Sequence, residues 1–331
     1  MTKNGPQVTG REPVEISIVC YPGAQATCVH GLTDLFSYSD YFAREQASMS
    51  EPFVRLTHWR PAEGDALECC FDTHPGPHRA PKLVIVPACQ IAPPARHHSV
   101  QCATWSARQH AEGAIVAAVC GGVFLLADSG VLDGRRVTTH WMFAEELARR
   151  HPQLQVDADQ LLIDDGDLVT AGGVLGWADM GLSLVDRLLG PTVMQATARF
   201  MLMDPPRREQ RVYGGFMPPL RHGDKTILSV QHWMRANSAE PCNVGLLAER
   251  AGLAPRTFLR RFVKATGFKP SDYHQRLRVN RSRELLELTR QSVKQISMAT
   301  GYEDTGGFRR RFKRLMGLSP AEYRKRFQRT T

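Results

Sequence analysis

Two patterns in this 331-residue chain carry side chains able to do chemistry. The first is the run AIVAAVCGGVFLLADSG around Cys120: an apolar strand ends on a thiol, two glycines follow, and an apolar helix begins. A side chain at such a strand-to-helix turn sits on a tight elbow, and the small neighbour Gly121 permits the strained backbone it needs. The N–H groups and dipole of the following helix are expected to favour the thiolate. Twenty residues on, in Thr138-Thr139-His140-Trp141, His140 offers an imidazole that could approach the thiol. A cysteine with such a histidine can serve nucleophilic catalysis, or the same N–H groups can hold a ligand's carboxylate or carbonyl. Trp141 and Trp177 could flank the crevice, with Asp179 near the start of the helix that follows Ala171-Gly172-Gly173. Aromatic faces with a carboxylate would suit a cationic amine. The alternative is that both tryptophans are packing residues and that Asp179 binds N–H groups of its own helix start. His74, His78, His97 and His98 fall in Pro-rich loops without a ligand set, so no metal and no cofactor are expected.

The second pattern is a repeat. Residues 258–276 (FLRRFVKATGFKPSDYHQR) match 308–326 (FRRRFKRLMGLSPAEYRKR) at a constant offset of 50, with eight identities in nineteen positions. A short helix and a glycine turn precede each copy, at 245–253 and 293–302. This is helix-turn-helix grammar. Phe258 and Phe262, four apart, are expected to face inward, while Arg256 and Arg260 share an outer face suited to the major groove. In the second copy Phe308 and Phe312 are the inward pair, and Thr305, Arg309 and Lys313 line the outer stripe. The expected DNA contacts are thus Arg256, Thr257, Arg260, Arg261 and Lys264, then Thr305, Arg309, Arg310 and Lys313. Between the copies, 270–288 reads as one amphipathic helix of ~28 Å at ~1.5 Å per residue, of the order of one DNA turn, roughly 34 Å. The competing reading is a basic helical bundle that binds RNA, an acidic protein or nothing.

The elements that must position these residues divide the chain in two. Strands are expected at 14–21, 53–59, 82–87, 114–119, 161–163 and 168–170, and helices at 30–44, 100–112, 123–128, 140–150 and 177–189. The continuous apolar runs KLVIVP and AIVAAV suit central parallel strands covered on both faces. Such alternation predicts a doubly wound, flavodoxin-like α/β parallel-sheet sandwich, with its crevice at the carboxyl ends of the strands. Residues 204–223, rich in Pro, Gly and Arg, read as a linker between a domain at 1–203 and an all-α domain at 224–331.

Charge follows the same division. Residues 223–331 hold 23 Lys and Arg against 9 Asp and Glu, whereas residues 1–222 hold 19 against 24. A polyanionic partner is therefore expected for the C-terminal part alone. No apolar stretch is long enough to span a bilayer, so no membrane association is expected. The polar opening MTKNGPQVTGREP lacks the apolar segment of a secretory signal, and the eight cysteines form no CxxC pair, so a cytoplasmic location with reduced thiols is the expectation.

Residues 225–328, including ISMATGYEDTGGFRRRFKRLMGLSPAEYRKRF, resemble the AraC/XylS family DNA-binding domain. The resemblance implies that each monomer inserts two recognition helices into successive major-groove faces. Gly306-Gly307 departs from the family at the start of the second recognition helix, where polar side chains are commoner. That helix is expected to read fewer bases and to rely on Thr305, Arg309 and Arg310. Residues 14–190 resemble the PfpI/class I glutamine amidotransferase-like domain, with Cys120 at the elbow and His140 at the partner position; the fusion resembles GlxA-type regulators. The position where proteolytic and chaperone-like relatives carry an activating carboxylate falls at or near Cys28, and Ala88-Cys89-Gln90 stands where they have paired glycines. The resemblance thus implies a retired active site used for ligand binding, with Cys120, Gly121, His140, Trp141, Cys28, Trp177 and Asp179 as its candidate residues. The expected function is a DNA-binding transcription regulator, an activator rather than an enzyme. It would be homodimeric through its front domain, answer to a small-molecule effector such as an amino acid or amine, and act on RNA polymerase at an operator. The alternative is a cysteine-dependent amidase, hydratase or protease-like enzyme with a DNA-binding appendage.

Overall fold

The computed structural model describes residues 12–64, 66–91, 93, 96–204, 210–216, 218–220 and 222–328. It divides into two compact units, 1–210 and 211–331. The first unit runs β1 (Val14–Val19), α1 (Ala26–Ala47), β2 (Val54–Pro61), β3 (Leu67–Asp72), β4 (Leu83–Val86), α2 (Arg96–Ala111), β5 (Ile115–Val119), α3 (Gly122–Asp128), β6 (Arg136–Val137), α4 (Ala144–Arg150), β7 (Gln155–Val156), β8 (Leu162–Asp164), β9 (Leu168–Ala171), α5 (Gly176–Leu189) and α6 (Pro191–Phe200).

The main sheet has the order β3-β2-β1-β4-β5-β9-β8. The five inner strands are parallel, and the edge strands β3 and β8 pair antiparallel. Alternate residues of the apolar strands feed two cores. Ile16, Ile18, Leu83, Ile85, Ala117 and Val119 pack with α1, α5 and α6, while Val84, Val86, Val116 and Ala118 pack with α2 and α3. Burial on both faces is why these strands read as unbroken apolar runs. The strand order reverses between β1 and β4, with β5 next to β4, and the carboxyl ends of strands at such a switch point are where open α/β sheets bind ligands.

Several expected boundaries shift. The first helix begins at Ala26, which brings Cys28 into its first turn. The helix expected from His140 begins only at Ala144. Residues 138–143 are instead held by tertiary bonds: the Thr138 N–H donates to Thr170 Oγ1 (2.9 Å) and the Thr139 hydroxyl to the Cys120 carbonyl (2.6 Å). Such bonds override helical periodicity at a helix start. Strand β3 and helix α6 were not anticipated. The leading residues 1–11 and, within the expected linker, 205–209, 217 and 221 lie outside the described residues, as do the side chains of His97 and His98.

The second unit is all helical: α7 (Lys225–Ala236), α8 (Val244–Arg250), α9 (Pro255–Thr266), α10 (Pro270–Leu288), α11 (Val293–Ala299), α12 (Thr305–Met316) and α13 (Pro320–Phe327). The repeat spells the same stops and starts twice. Gly267 (φ +73°) and Gly317 (φ +75°) take the left-handed conformation that ends α9 and α12, and Pro270 and Pro320 open the next helices. Each copy then sets its tyrosine edge-to-face against its inward aromatic: Tyr273 against Phe262 at 5.2 Å and Tyr323 against Phe312 at 5.4 Å. Among the described residues no helix is long and apolar enough to cross a membrane.

Candidate functional site

In α9, Phe258, Phe262 and Thr266 are buried, while Arg256, Arg260 and Lys264 are exposed at the same four-residue spacing. In α12, Phe308, Phe312 and Met316 are buried, while Arg309 and Lys313 are exposed and Thr305 is half-buried at the head of the same stripe. A helix whose buried row is aromatic and whose exposed row is basic is firmly seated yet free to meet a polyanion. Thr257 is half-buried beside the first stripe.

One arginine differs from expectation. Arg261 is committed within the unit: its Nε and Nη2 donate to the Asp224 carboxylate at 2.9 and 2.7 Å, holding that carboxyl below its usual range. Asp224 also caps α7 by accepting the Ile227 N–H, so Arg261 ties α9 to α7 instead of reaching outward. Arg310 stays exposed and keeps only a loose pair with Asp304 at 3.7 Å. Asp304 itself accepts the N–H groups of Gly306 (2.8 Å) and Gly307 (2.6 Å). A Cβ at Gly307 would lie 3.1 Å from the Asp304 carboxylate. The glycine pair therefore suits a tight acidic cap, and it leaves positions 306 and 307 of α12 without side chains to meet a base, so that Thr305 alone represents the polar face of the first turn.

In the first unit, Cys120 follows β5 with φ +55°, the strained left-handed backbone of an elbow. Its N–H donates to the Ala171 carbonyl (2.7 Å). The following glycines are required by close approach: a Cβ at Gly122 would overlap the Pro87 carbonyl, and one at Gly121 would overlap Cys89 Sγ. Cys120, Cys89 and Cys28 thus arrive from the ends of β5 and β4 and the start of α1. Nearby backbone N–H groups favour each thiolate: those of Gly121 and His140 at Cys120, of Cys89 itself and Gly121 at Cys89, and of Ala88 at Cys28.

Those N–H groups do not make a thiolate. Burial pushes Cys120 and Cys28 up to about 12, and Cys89 upward as well. The activation expected from the helix N-terminus is overturned because desolvation of the charged form outweighs it. His140 lends the thiol its backbone, and among the described residues no hydrogen bond joins its ring to Cys120. The ring's Nδ1 instead accepts the Met142 N–H (3.1 Å), and burial lowers its pKa. Trp177 does not flank the crevice as an open aromatic face. Its ring lies against Gly31 of α1, where a Cβ would come within 2.7 Å of Cζ2, and it packs on the α1/α5 core. Asp179 is buried in the first turn of α5. Trp141 is half-buried beside the His140 ring at 5.4 Å.

Residues 247–326 match the model of a helix-turn-helix domain, and residues 79–187 match that of the DJ-1/PfpI family. The chain joins a DJ-1/PfpI domain to an AraC-type helix-turn-helix domain. It is 29% identical over 225 residues to the HTH-type transcriptional regulator CdhR of Pseudomonas aeruginosa, covering 66% of each chain. It is 27% identical over 267 residues to the HTH-type transcriptional regulator GbdR of the same species (strain UCBPP-PA14), covering 78% of this chain and 70% of GbdR. With the HTH-type transcriptional regulator GlxA of Rhizobium meliloti it shares 28% identity over 217 residues, covering 65% of this chain and 66% of GlxA. The matched segments therefore span just under two thirds of CdhR and of GlxA.

The DJ-1/PfpI unit contains one polar anchor that sequence reasoning missed. Gln210 is buried; its amide nitrogen donates to Thr138 Oγ1 (3.0 Å) and to the Thr139 (2.8 Å) and Gln160 (3.0 Å) carbonyls, and its oxygen accepts the Trp141 N–H (3.3 Å). It fills the space left by the missing Cβ of Gly172. It thereby fixes the loop that carries His140 and Trp141. Gln210 fell inside the stretch read as linker, and no local pattern marks it. The AraC-type unit hid one such residue too, Arg278, whose buried guanidinium leaves no trace in periodicity. Cys69, Asp72 and His78 place donor atoms within 4.8 Å of one another on the β2–β3 edge. The Arg55 guanidinium already holds Asp72 there, at 3.1 and 2.6 Å, and a cation would have to displace it.

Proposed function

We propose that this chain is a sequence-specific DNA-binding transcription regulator that answers to a small molecule bound by its DJ-1/PfpI unit. The observation that carries the reading is the pair of repeated helices α9 and α12, each seated by a buried aromatic pair and each presenting an exposed basic stripe. The similarity to CdhR, GbdR and GlxA, each named as a transcriptional regulator, supports it. The reading takes residues 1–203 as the sensor, 204–223 as a linker whose Gln210 is anchored in the sensor, and 224–331 as the DNA-binding part. Arg256, Thr257, Arg260, Lys264, Thr305, Arg309, Arg310 and Lys313 are its DNA contacts. Cys120, Gly121, Cys28, His140 and Trp141 line its effector site, and the effector is an amino acid or amine. The regulator acts in the cytoplasm as an activator of RNA polymerase and as a homodimer joined through the sensor.

Selection of duplexes from a random pool by the full-length chain tests this. The expected result is an enriched sequence bound far more tightly than the pool; recovery of random sequence, with no preference, overturns it. Addition of amino acids, betaines and polyamines to the chain then tests the sensor, because a ligand that binds only the folded state raises its melting temperature. The enzyme reading requires a reactive thiol. Protonated sulfurs at Cys120 and Cys28, with the His140 ring turned to its own loop, speak against it.

A further inference from the structure

We propose that Arg278 is the positioning residue that fixes the separation of the two recognition helices and so acts as the spacing ruler of the DNA-binding unit. This inference rests on the DNA-binding reading above. Helix α10 belongs to both halves of the unit: Tyr273 and Leu277 pack in the core of the first, Val279 and Leu286 in the core of the second. Arg278 therefore stands where the helix passes from one core to the other, the place where a bend would change the geometry of α9 relative to α12.

Its guanidinium is buried and spent on one short loop. Nε donates to the Ser238 carbonyl (2.9 Å), and Nη2 to the carbonyls of Ala239 (3.0 Å) and Glu240 (3.1 Å). That loop leaves α7 and leads to α8, the first helix of the first helix-turn-helix pair. On its other side it is pressed against the turn of the second pair. Gly301 there has φ +80°, and a Cβ on it would overlap the Ala239 carbonyl oxygen and lie 2.7 Å from Arg278 Nη2. Tyr302 closes the clasp, its ring 5.5 Å from the guanidinium carbon and its hydroxyl donating to Gln275 Oε1 (2.9 Å). One side chain thus joins the first pair, the connecting helix and the turn of the second pair. A fork of fixed donors on three carbonyls resists rotation in a way a single flexible ammonium does not.

The test uses the full chain and a duplex selected by it from a random pool, with both contacted segments mapped, then rebuilt with one to four base pairs inserted or deleted between them. Wild type should lose about tenfold or more in affinity for each change of spacing, since the helices cannot follow. Arg278→Ala, shown to be folded by its circular dichroism, should bind the parent duplex about five- to tenfold more weakly yet vary less than about threefold across the series. Arg278→Lys should fall between them. Gly301→Ala, which keeps the Arg278 charge but pushes the loop and the guanidinium away from the second turn, should flatten the series in the same way and keeps the test open if Arg278→Ala does not fold. Folded variants that retain the wild-type spacing penalty overturn the ruler and leave the DNA-binding reading intact. A wild type that selects no duplex overturns both.

Discussion

At the scale of single residues, the same four-residue spacing gives opposite duties to neighbouring positions. Phe262 and Phe312 are fully buried, whereas Arg260 and Arg309 are exposed one row away. Arg260→Ala and Arg309→Ala should each relax base preference in a different half of the operator, at a cost of ~1–3 kcal/mol if the contact is bidentate, with little change in melting. Phe262→Ala and Phe312→Ala should instead cost about 3–5 kcal/mol of stability in their own halves. Binding-site selection and thermal unfolding on the four variants separate these outcomes, and arginine variants that melt the unit would invert the facing assignment. The cysteines make a comparable contrast. Cys70 is exposed, whereas the buried Cys120 holds its proton up to about pH 12. An alkylating reagent at neutral pH should modify Cys70 well before Cys120, and His140→Ala should leave the Cys120 rate unchanged. Rapid Cys120 labelling that depends on His140 would restore the enzyme reading.

At the scale of elements, helix α10 carries a buried histidine that makes the second unit sensitive to acid. Burial, reinforced by the Arg278 cation, lowers the His274 pKa from 6.5 to about 4, although its bond to the Ser238 carbonyl pulls the other way. In the unfolded chain the ring takes up a proton as pH falls through about 6.5; in the folded unit it stays neutral until about 4. The unfolded state therefore gains protons first, and stability present above pH 6.5 is lost progressively between 6.5 and 4. Unfolding of the full chain at about pH 7 and about pH 5 should show this loss, and His274→Gln should reduce it. An unchanged difference in the variant would assign the acid sensitivity to other groups. Helix starts are the other point of local leverage. Ser319 and Glu322 form a reciprocal capping box on α13, and Ser292 and Gln295 one on α11. Ser319→Ala should cost ~1 kcal/mol in a denaturant titration, because one orphan N–H at the helix start loses its acceptor.

At the scale of the whole molecule, charge and chemistry are divided between the units. Residues 223–331 carry 23 of the 42 Lys and Arg but only 9 of the 33 Asp and Glu, so the polyanion partner belongs to the AraC-type unit. Binding of the full chain to its selected duplex should fall with salt as counterions are released. For roughly six phosphate contacts the loss is about a thousandfold between about 50 and about 200 mM. Lys264→Ala and Lys313→Ala should each lower the log–log slope by about one if each neutralises a phosphate, with base preference kept. A salt-independent affinity would rule out the electrostatic footing of the interface.

The sequence alone determined both folds and the facing of the recognition helices. The signals concerned are local: unbroken apolar runs for strands covered on both faces, a four-residue period for α9 and α12, and glycine and proline at the repeated ends of helices. The elbow at Cys120 was legible for the same reason, since Gly121 and Gly122 record the close approach of Cys89 and Pro87 in their own lack of a side chain. The state of the thiol was not legible. Whether a helix N-terminus or desolvation sets it depends on what lies above the sulfur, and only the meeting of β4, β5 and α1 supplies that. Arg261 looked like its neighbours in the basic stripe until the fold put Asp224 within reach of it. Arg278, with its three carbonyl partners some 40 residues away, and Gln210, reaching back about 70 residues to the Thr138 loop, are long-range contacts between polar groups. Such contacts have no period along the chain, so tertiary structure alone decides them.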